Sequence, residues 1–361
     1  MIQLKLTCVL LAYILPGKVH AQDLSKIKHP KNIILMIGDG MGTAQIYAGL
    51  TANKGNLNLT RFRCIGFHKN QSSSDYVTDS GAGATAFSIG KKTYNGAIGV
   101  DSAKAAQPTI LEIAEKNQLA TGLVVSCSIT HATPASFIAH QPSRAMVEEI
   151  AADFLKTDID VFIGGGRNHF IHRKDGRNLA DSLRRRNYRV ADTLSDIVKI
   201  RSGKLAGFIA DVEPPKVLEG RGDQLLQSTL TALNILQQNR KGFFLMIEGS
   251  QIDWGGHANN TEYVTSEMID FDKAIGAVLD FAEKDGNTLV IVTADHETGG
   301  MAITDGDMKT GKVEAKFITS DHTGVMIPVF AYGPEAEMFG GIYENNTIFD
   351  KMLAAFNFRH L

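Results

Sequence analysis

Five short apolar runs in this chain each end on residue types that bind metals or attack electrophiles. Residues 33–37 run into Asp39, residues 243–247 into Glu248, and residues 289–292 into Asp295 and His296. Residues 123–125 lead to His131 and Thr133, and the two-residue run 76–77 precedes Asp79 and Ser80. Strands of an open parallel sheet deliver functional side chains at their carboxyl ends. Carboxylates, imidazoles and a hydroxyl brought together in that way describe a polynuclear metal site with a nucleophile.

Each candidate has its own chemistry. Glu248 opens a glycine-bearing stretch in which Asp253 and His257 lie four apart, so one helical turn puts both on one face. Asp295 and His296 pair a hard and a borderline ligand directly after a buried strand, a combination that zinc accepts. His322 precedes the last apolar run and reads as a third imidazole ligand or a surface histidine. Asp39 is flanked by Gly38 and Gly40; neither the GxGxxG nor the Walker spacing is present, so a metal-bridging carboxylate fits better than a phosphate cradle. Ser80 begins a run of small residues suited to a tightly packed helix start, where free N–H groups and a partial positive charge favour a phosphoryl group. It lacks the G-x-S-x-G setting, which disfavours a histidine-activated triad. A plain helix-capping serine is the alternative, and a zinc ion can replace the general base by acidifying the hydroxyl. Arg144 is predicted to open a helix after the turn at 131–134. Its fork can grip two phosphate oxygens, or it is an ordinary capping or surface arginine.

The elements that must position these residues alternate. Helical patterns at 43–53, 109–117, 148–156, 223–239, 261–284 and 348–356 are interleaved with apolar runs at 33–37, 123–125, 161–166, 243–247, 289–292 and 327–331. Alternation of this kind predicts an α/β fold, a three-layer sandwich with a mainly parallel central sheet. Residues 174–222 are the least regular and read as a peripheral excursion on one large domain, since candidate ligands fall on both sides of them.

Composition is that of an ordinary globular protein: 361 residues, 43% hydrophobic and 21% charged. A formal net charge of −2 gives no reason to expect nucleic acid or another polyanion as partner. The first 21 residues carry Lys5, an apolar stretch at 6–15 and Val19-His20-Ala21, the pattern of a cleaved signal peptide. The expectation is an exported protein, periplasmic or secreted, with one mature domain over 22–361 and no membrane insertion after cleavage. Cys64 and Cys127 lie outside any CxxC pattern. A single disulfide or two buried thiols both remain open, and neither residue reads as a metal ligand.

Taken together the segments resemble alkaline phosphatases. Asp79-Ser80-Gly81-Ala82-Gly83-Ala84-Thr85-Ala86 matches the family's nucleophile motif; Glu248 to Asp253 with His257, and Thr293-Ala294-Asp295-His296, match its metal motifs. The chain looks most like the small bacterial members, cold-active ones included, that lack large surface insertions. The resemblance implies phosphate-monoester hydrolysis through a phosphoserine at Ser80, acting on small monoesters. It implies a first zinc on Asp253, His257 and His322, and a second on Asp39, Asp295 and His296 with Ser80 as exchangeable ligand. It implies a magnesium on Asp39, Thr133 and Glu248, phosphate binding by Arg144 oriented by Asp79, and a homodimer. Three divalent ions would outweigh the four carboxylates by two charges, which matches a phosphate dianion. Where the much-studied enterobacterial type has Asp and Lys, this chain has His131 and Trp254, a pair that other bacterial members share. A phosphodiesterase of the same superfamily is the nearest rival, although such relatives commonly use Thr as nucleophile and lack this Arg. An exported protein that only sequesters zinc or phosphate is a second rival, and it would need no serine at this place. The C-x-P-x-R and S-x-P-x-R segments of sulfatases are absent.

Overall fold

The computed structural model describes residues 29–358, so the expected leader at 1–21 and the start of the mature chain at Gln22 lie outside the described residues. Fourteen strands are found within that range: β1 (Asn32–Gly38), β2 (Cys64–Lys69), β3 (Ala120–Ser128), β4 (Val161–Gly165), β5 (Tyr188–Ala191), β6 (Lys204–Phe208) and β7 (Phe243–Gly249), followed by β8 (Thr288–Thr293), β9 (Glu297–Thr298), β10 (Ala302–Asp307), β11 (Lys312–Lys316), β12 (His322–Thr323), β13 (Ile327–Tyr332) and β14 (Gly341–Glu344). Ten of them form one sheet in the order β14-β2-β13-β8-β1-β7-β3-β4-β6-β5. Only β13 runs against its neighbours. The central strands β1, β3, β7 and β8 are buried along their whole length, as their unbroken apolar runs require.

Two helical layers cover the sheet. Ile33, Leu35 and Ile37 of β1 point into one core with α2 (Ser80–Ile89), α3 (Ile110–Lys116), α4 (Ala132–Ala135), α5 (Val147–Asp153), α6 (Arg167–Ile171), α7 (Leu179–Arg185) and α12 (Thr347–Ala355). Ile34 and Met36 point the other way, against α1 (Thr43–Ala52), α8 (Leu194–Ile197), α9 (Gln224–Leu236), α10 (Gln251–His257) and α11 (Thr261–Asp285). Alternate residues of one strand thus feed opposite cores, which is the three-layer sandwich expected. No helix among the described residues is long and apolar enough to cross a membrane.

Three expectations need correction. Residues 76–77 form a bend, not a strand. Tyr76 is 79% exposed, and the Val77 carbonyl accepts from the Asn95 side chain at 3.0 Å instead of joining a ladder. Residues 174–222 are not peripheral throughout, because β5 and β6 extend the main sheet at its far edge. Arg144 does not open a helix: its N–H donates to Gly96 O at 2.8 Å, which holds it in a turn three residues before α5 begins.

Candidate metal centre and nucleophile

Four adjacent strands, β8, β1, β7 and β3, point their carboxyl ends the same way. Register brings their last residues level: Ile37 lies beside both Glu248 and Thr293, and Glu248 lies beside Val125. Asp39, Glu248, Asp295 and His296, and the turn carrying His131 and Thr133, therefore emerge along one edge. Because β13 is reversed, the chain enters it at that same edge, and His322 in β12 is placed there too. β12 pairs with β9, setting His322 opposite Thr298. Gly40 makes the turn after β1 possible. Its φ is +73°, and a Cβ there would stand 2.7 Å from the Asp253 backbone.

Three groups of ligand-type atoms result, each with its donors within 4.8 Å of one another: Asp253 with His257 and His322; Asp39 with Asp295 and His296; Cys127 with His131 and Glu248. In the first, Asp253 Oδ1 lies 3.3 Å from His257 Nε2 and 3.6 Å from His322 Nε2. Each imidazole is fixed from behind by a backbone carbonyl, Ser320 O at 2.6 Å from His257 Nδ1 and Thr78 O at 2.9 Å from His322 Nδ1. A carbonyl can only accept, so Nδ1 carries a proton and Nε2 faces the site, where a cation would take the place of any proton on Nε2. In the second group His296 Nε2 lies 3.4 Å from Asp39 Oδ1 and 3.4 Å from Asp295 Oδ2. The Thr298 hydroxyl ties the two groups together, donating to Asp253 Oδ1 at 2.5 Å and lying 3.2 Å from His296 Nδ1.

Ser80 stands beside the second group, with Oγ 3.2 Å from His296 Nε2. It is the first residue of α2, and the cap is Asp79, whose Oδ1 accepts from Ala82 N at 2.9 Å. The small residues after Ser80 let the helix approach the centre: a Cβ on Gly83 would meet the Asp295 side chain at 3.0 Å. Asp79 also accepts from Arg144 Nη1 at 2.9 Å through its other oxygen, and Arg144 Nη2 lies 3.3 Å from His131 Nε2. One carboxylate thus sets both the helix start and the guanidinium.

The electrostatics call for cations. Burial, followed by the Asp295, Asp253 and Glu248 charges, raises the Asp39 carboxyl well above its ordinary range. Burial and the Asp253 charge push Asp295 up to about 7. Burial pushes Glu248 up to about 8, with the Asp295 charge adding to it. Asp253 behaves in the opposite way: burial opposes its ionisation, but the His257 hydrogen bond and the nearby imidazoles hold it well below the usual range. The Asp253 hydrogen bond in turn raises His257 to about 9. Both oxygens of Asp39, Oδ2 of Asp295, Oε1 of Glu248 and Oγ1 of Thr133 are buried without a hydrogen bond of ordinary geometry. Orphaned acceptors are costly, and several converging on one edge are what bound cations would satisfy. The donor sets fit: imidazole with carboxylate suits zinc, and hydroxyl with carboxylate suits a harder ion.

The structure brings together Asp39, Ser80, Thr133, Arg144, Glu248, Asp253, His257, Asp295, His296 and His322, all of them named from the sequence. It adds Thr298, the carbonyls behind the two histidines, and Cys127, whose Sγ lies 3.4 Å from Glu248 Oε2. The only sequence cue to Thr298 is its place two residues beyond His296 in an alternating stretch. Trp254 follows Asp253 on α10, with its ring 6.2 Å from that of His131 at 72°. It is the only tryptophan, so stripping the metals is expected to shift its emission. An unchanged spectrum would separate Trp254 from the centre.

A helix-borne serine among clustered metal-ligand residues, at the carboxyl edge of a doubly covered sheet, defines a metal-binding hydrolase. The alkaline phosphatase family model matches residues 30–317, and the chain belongs to that family. It hydrolyses phosphate monoesters. It is 35% identical to alkaline phosphatase 3 of Bacillus subtilis, over 91% of this chain and 89% of that protein. It is 33% identical to the Escherichia coli alkaline phosphatase, over 92% and 88% respectively. The alkaline phosphatase of the Antarctic bacterium TAB5 is 46% identical and superposes with a TM-score of 0.88, over 93% of this chain and all of that one. A variant of the TAB5 enzyme, equally similar, has magnesium bound in its M3 site.

Proposed function

We propose that this chain hydrolyses phosphate monoesters through a phosphoserine at Ser80. The observation that carries the reading is Ser80 Oγ at 3.2 Å from His296, itself on the Asp39–Asp295 pair. Asp253, His257 and His322 would hold one zinc, and Asp39, Asp295 and His296 another. A third cation would sit with Asp39, Thr133 and Glu248; magnesium is the ion the family resemblance implies, and the TAB5 variant supports a third site. The bound cations supply positive charge for the phosphoryl group, a more acidic serine hydroxyl and a more acidic water.

The rest belongs to the chain. Ser80 Oγ attacks phosphorus in line, the ester oxygen departs on the opposite side, and water later displaces the phosphoryl group from Oγ. The N–H groups of Ser80 and Gly81 lie in the first turn of α2, where no intrahelical acceptor exists, and face accumulating charge on the phosphoryl oxygens. Asp79 holds Nη1 of Arg144, fixing the plane of the guanidinium against two non-bridging oxygens. That grip takes two of the three terminal oxygens of a monoester and leaves the third to the bound cations, whereas a diester has only two and must seat its second ester group where the third would lie. Rates on an aryl monoester and its methyl diester are expected to differ by about 10²-fold or more, the worth of one lost charge-assisted contact in the transition state. Equal rates would favour the phosphodiesterase reading. Trapping labelled phosphate on Ser80 at acid pH tests the reading directly: label there would exclude a protein that only sequesters metal or phosphate, and its absence would remove the phosphoserine step. We further propose, from the leader pattern in residues 1–21 and by analogy with the family, an exported enzyme, periplasmic or secreted, with one catalytic domain over 22–361 working as a homodimer.

A further inference from the structure

One buried thiol stands inside this centre and has no part in the mechanism above. Cys127 Sγ is 3.4 Å from Glu248 Oε2 and 3.2 Å from Ser128 O, so its S–H is shared between the carboxylate and a backbone carbonyl. Strand geometry puts it there. Cys127 shares the face of β3 that carries Leu123 and Val125, and Glu248 shares the face of β7 that carries Phe244 and Met246; these apolar neighbours form one core. The β3–β4 pairing shifts register between Val124 and Ser128, so the strand is irregular where Cys127 leaves it.

The thiol does not stand alone. Glu248 Oε1, Thr133 Oγ1 and His131 Nδ1 are buried at the same place without a hydrogen-bond partner. One ligand atom each from Cys127, His131 and Glu248 falls within 4.8 Å of the others, so a single ion can reach all three. That set is sulfur, nitrogen and oxygen. Magnesium prefers about six oxygens in a near-octahedral shell and has little affinity for thiolate or imidazole. Zinc accepts all three donor types in a four-coordinate site. A thiol that served only to fill space would have no bearing on which ion is held.

We propose that Cys127 is a ligand of the third metal site, and that this site takes a thiophilic divalent ion, zinc, in preference to magnesium. The proposal rests on the reading that places a third cation at Glu248 and Thr133, and it revises the sequence-based view of Cys127 as no ligand. As the metal–sulfur bond forms, the Cys127 S–H bond breaks and its proton leaves to solvent.

The test uses the whole chain, stripped of metal and reloaded with cobalt. The other two groups contain no sulfur, so they report through visible ligand-field bands alone. Binding at Cys127 adds an intense near-ultraviolet thiolate-to-cobalt charge-transfer band. The expected result is that band in the wild type and in Cys64→Ser, and its loss in Cys127→Ser. After dialysis against equal zinc and magnesium, elemental analysis is expected to give three zinc ions per wild-type chain. Cys127→Ser is expected to exchange one of them for magnesium. Cadmium-113 resonance on the wild type, with one line at the position of a thiolate-bound ion, gives the same answer without a variant. Three bound cobalt ions with no thiolate band, or one magnesium retained by the wild type, would overturn the proposal and leave the phosphoserine reading standing. Failure to bind cobalt at all would overturn both.

Discussion

Ser80→Ala is expected to lose activity on the order of 10³-fold or more, roughly 4 kcal/mol in the barrier, while keeping its metals and its fold. The fold should survive because the cap of α2 is Asp79, not Ser80, and alanine is the best helix former at the position that follows. The metals should stay because Asp39, Asp295 and His296 still offer their atoms within 4.8 Å of one another after the hydroxyl is removed. What disappears is the atom that, on the proposed reading, attacks phosphorus. Residual hydrolysis would come from water attacking directly in a site that still binds and orients the substrate. The check is kcat on a monoester together with metal content, plus acid quenching with labelled phosphate. Label on the wild type and none on the variant is the expected pair. A variant turning over at the wild-type rate would remove Ser80 from its role.

Most of this centre was legible in the chain because it is built at strand ends. Long apolar runs announce buried parallel strands, and the residue types that follow them are then read as a set. The helix α10 was legible too, from the four-residue spacing of Asp253 and His257. What the sequence hid depends on partners far away in the chain. Cys127 meets Glu248 only through the β3–β7 register, 121 residues apart. Arg144 is set by the Gly96 carbonyl and the Asp79 carboxylate, so its local pattern suggested a helix that the tertiary bonds replace. Strands β2 and β14 escaped notice because the first reads Cys-Ile-Gly-Phe-His-Lys and the second has four residues, so neither shows an apolar run. The hairpin of β10 and β11 is largely solvent-facing and has little hydrophobic signature.

Metal removal is the second large effect. A chelator is expected to abolish activity and to lower the melting temperature by ~10 °C or more, as the loss of several tightly held ligands should in a chain of this size. The drop should depend on pH in a definite direction. In the metal-free protein Asp295 is raised to about 7 and Glu248 to about 8, both chiefly by burial, and Asp39 is raised as well. An unfolded chain has ordinary carboxylates near ~4. Protonated carboxyls therefore favour the folded state; their contribution is complete below about 4 and is lost as pH rises through 7 to 8. His257, raised to about 9 by Asp253, loses its contribution over a higher window in the same direction. The loaded protein is spared, because cations take the place of the protons. The gap in melting temperature between loaded and stripped protein is thus expected to widen from pH 6 to pH 9. A stripped protein that stays fully active and equally stable across that range would refute the whole assignment.

The centre is also unevenly covered. The His257 side chain is 37% exposed and His322 14%, whereas Asp39, Asp295 and His296 are shut off completely. His257 and His322 belong to a short helix and a two-residue strand outside the main sheet, while the shut-off residues hang directly from its strands. On the proposed assignment the cations must drain in a fixed sequence when ambient zinc grows scarce. The outer one leaves first, through an imidazole doorway, and the inner one follows more slowly from behind the strand ends. Starvation would therefore idle the enzyme long before it dismantled it, and resupply could restart the same molecules without refolding.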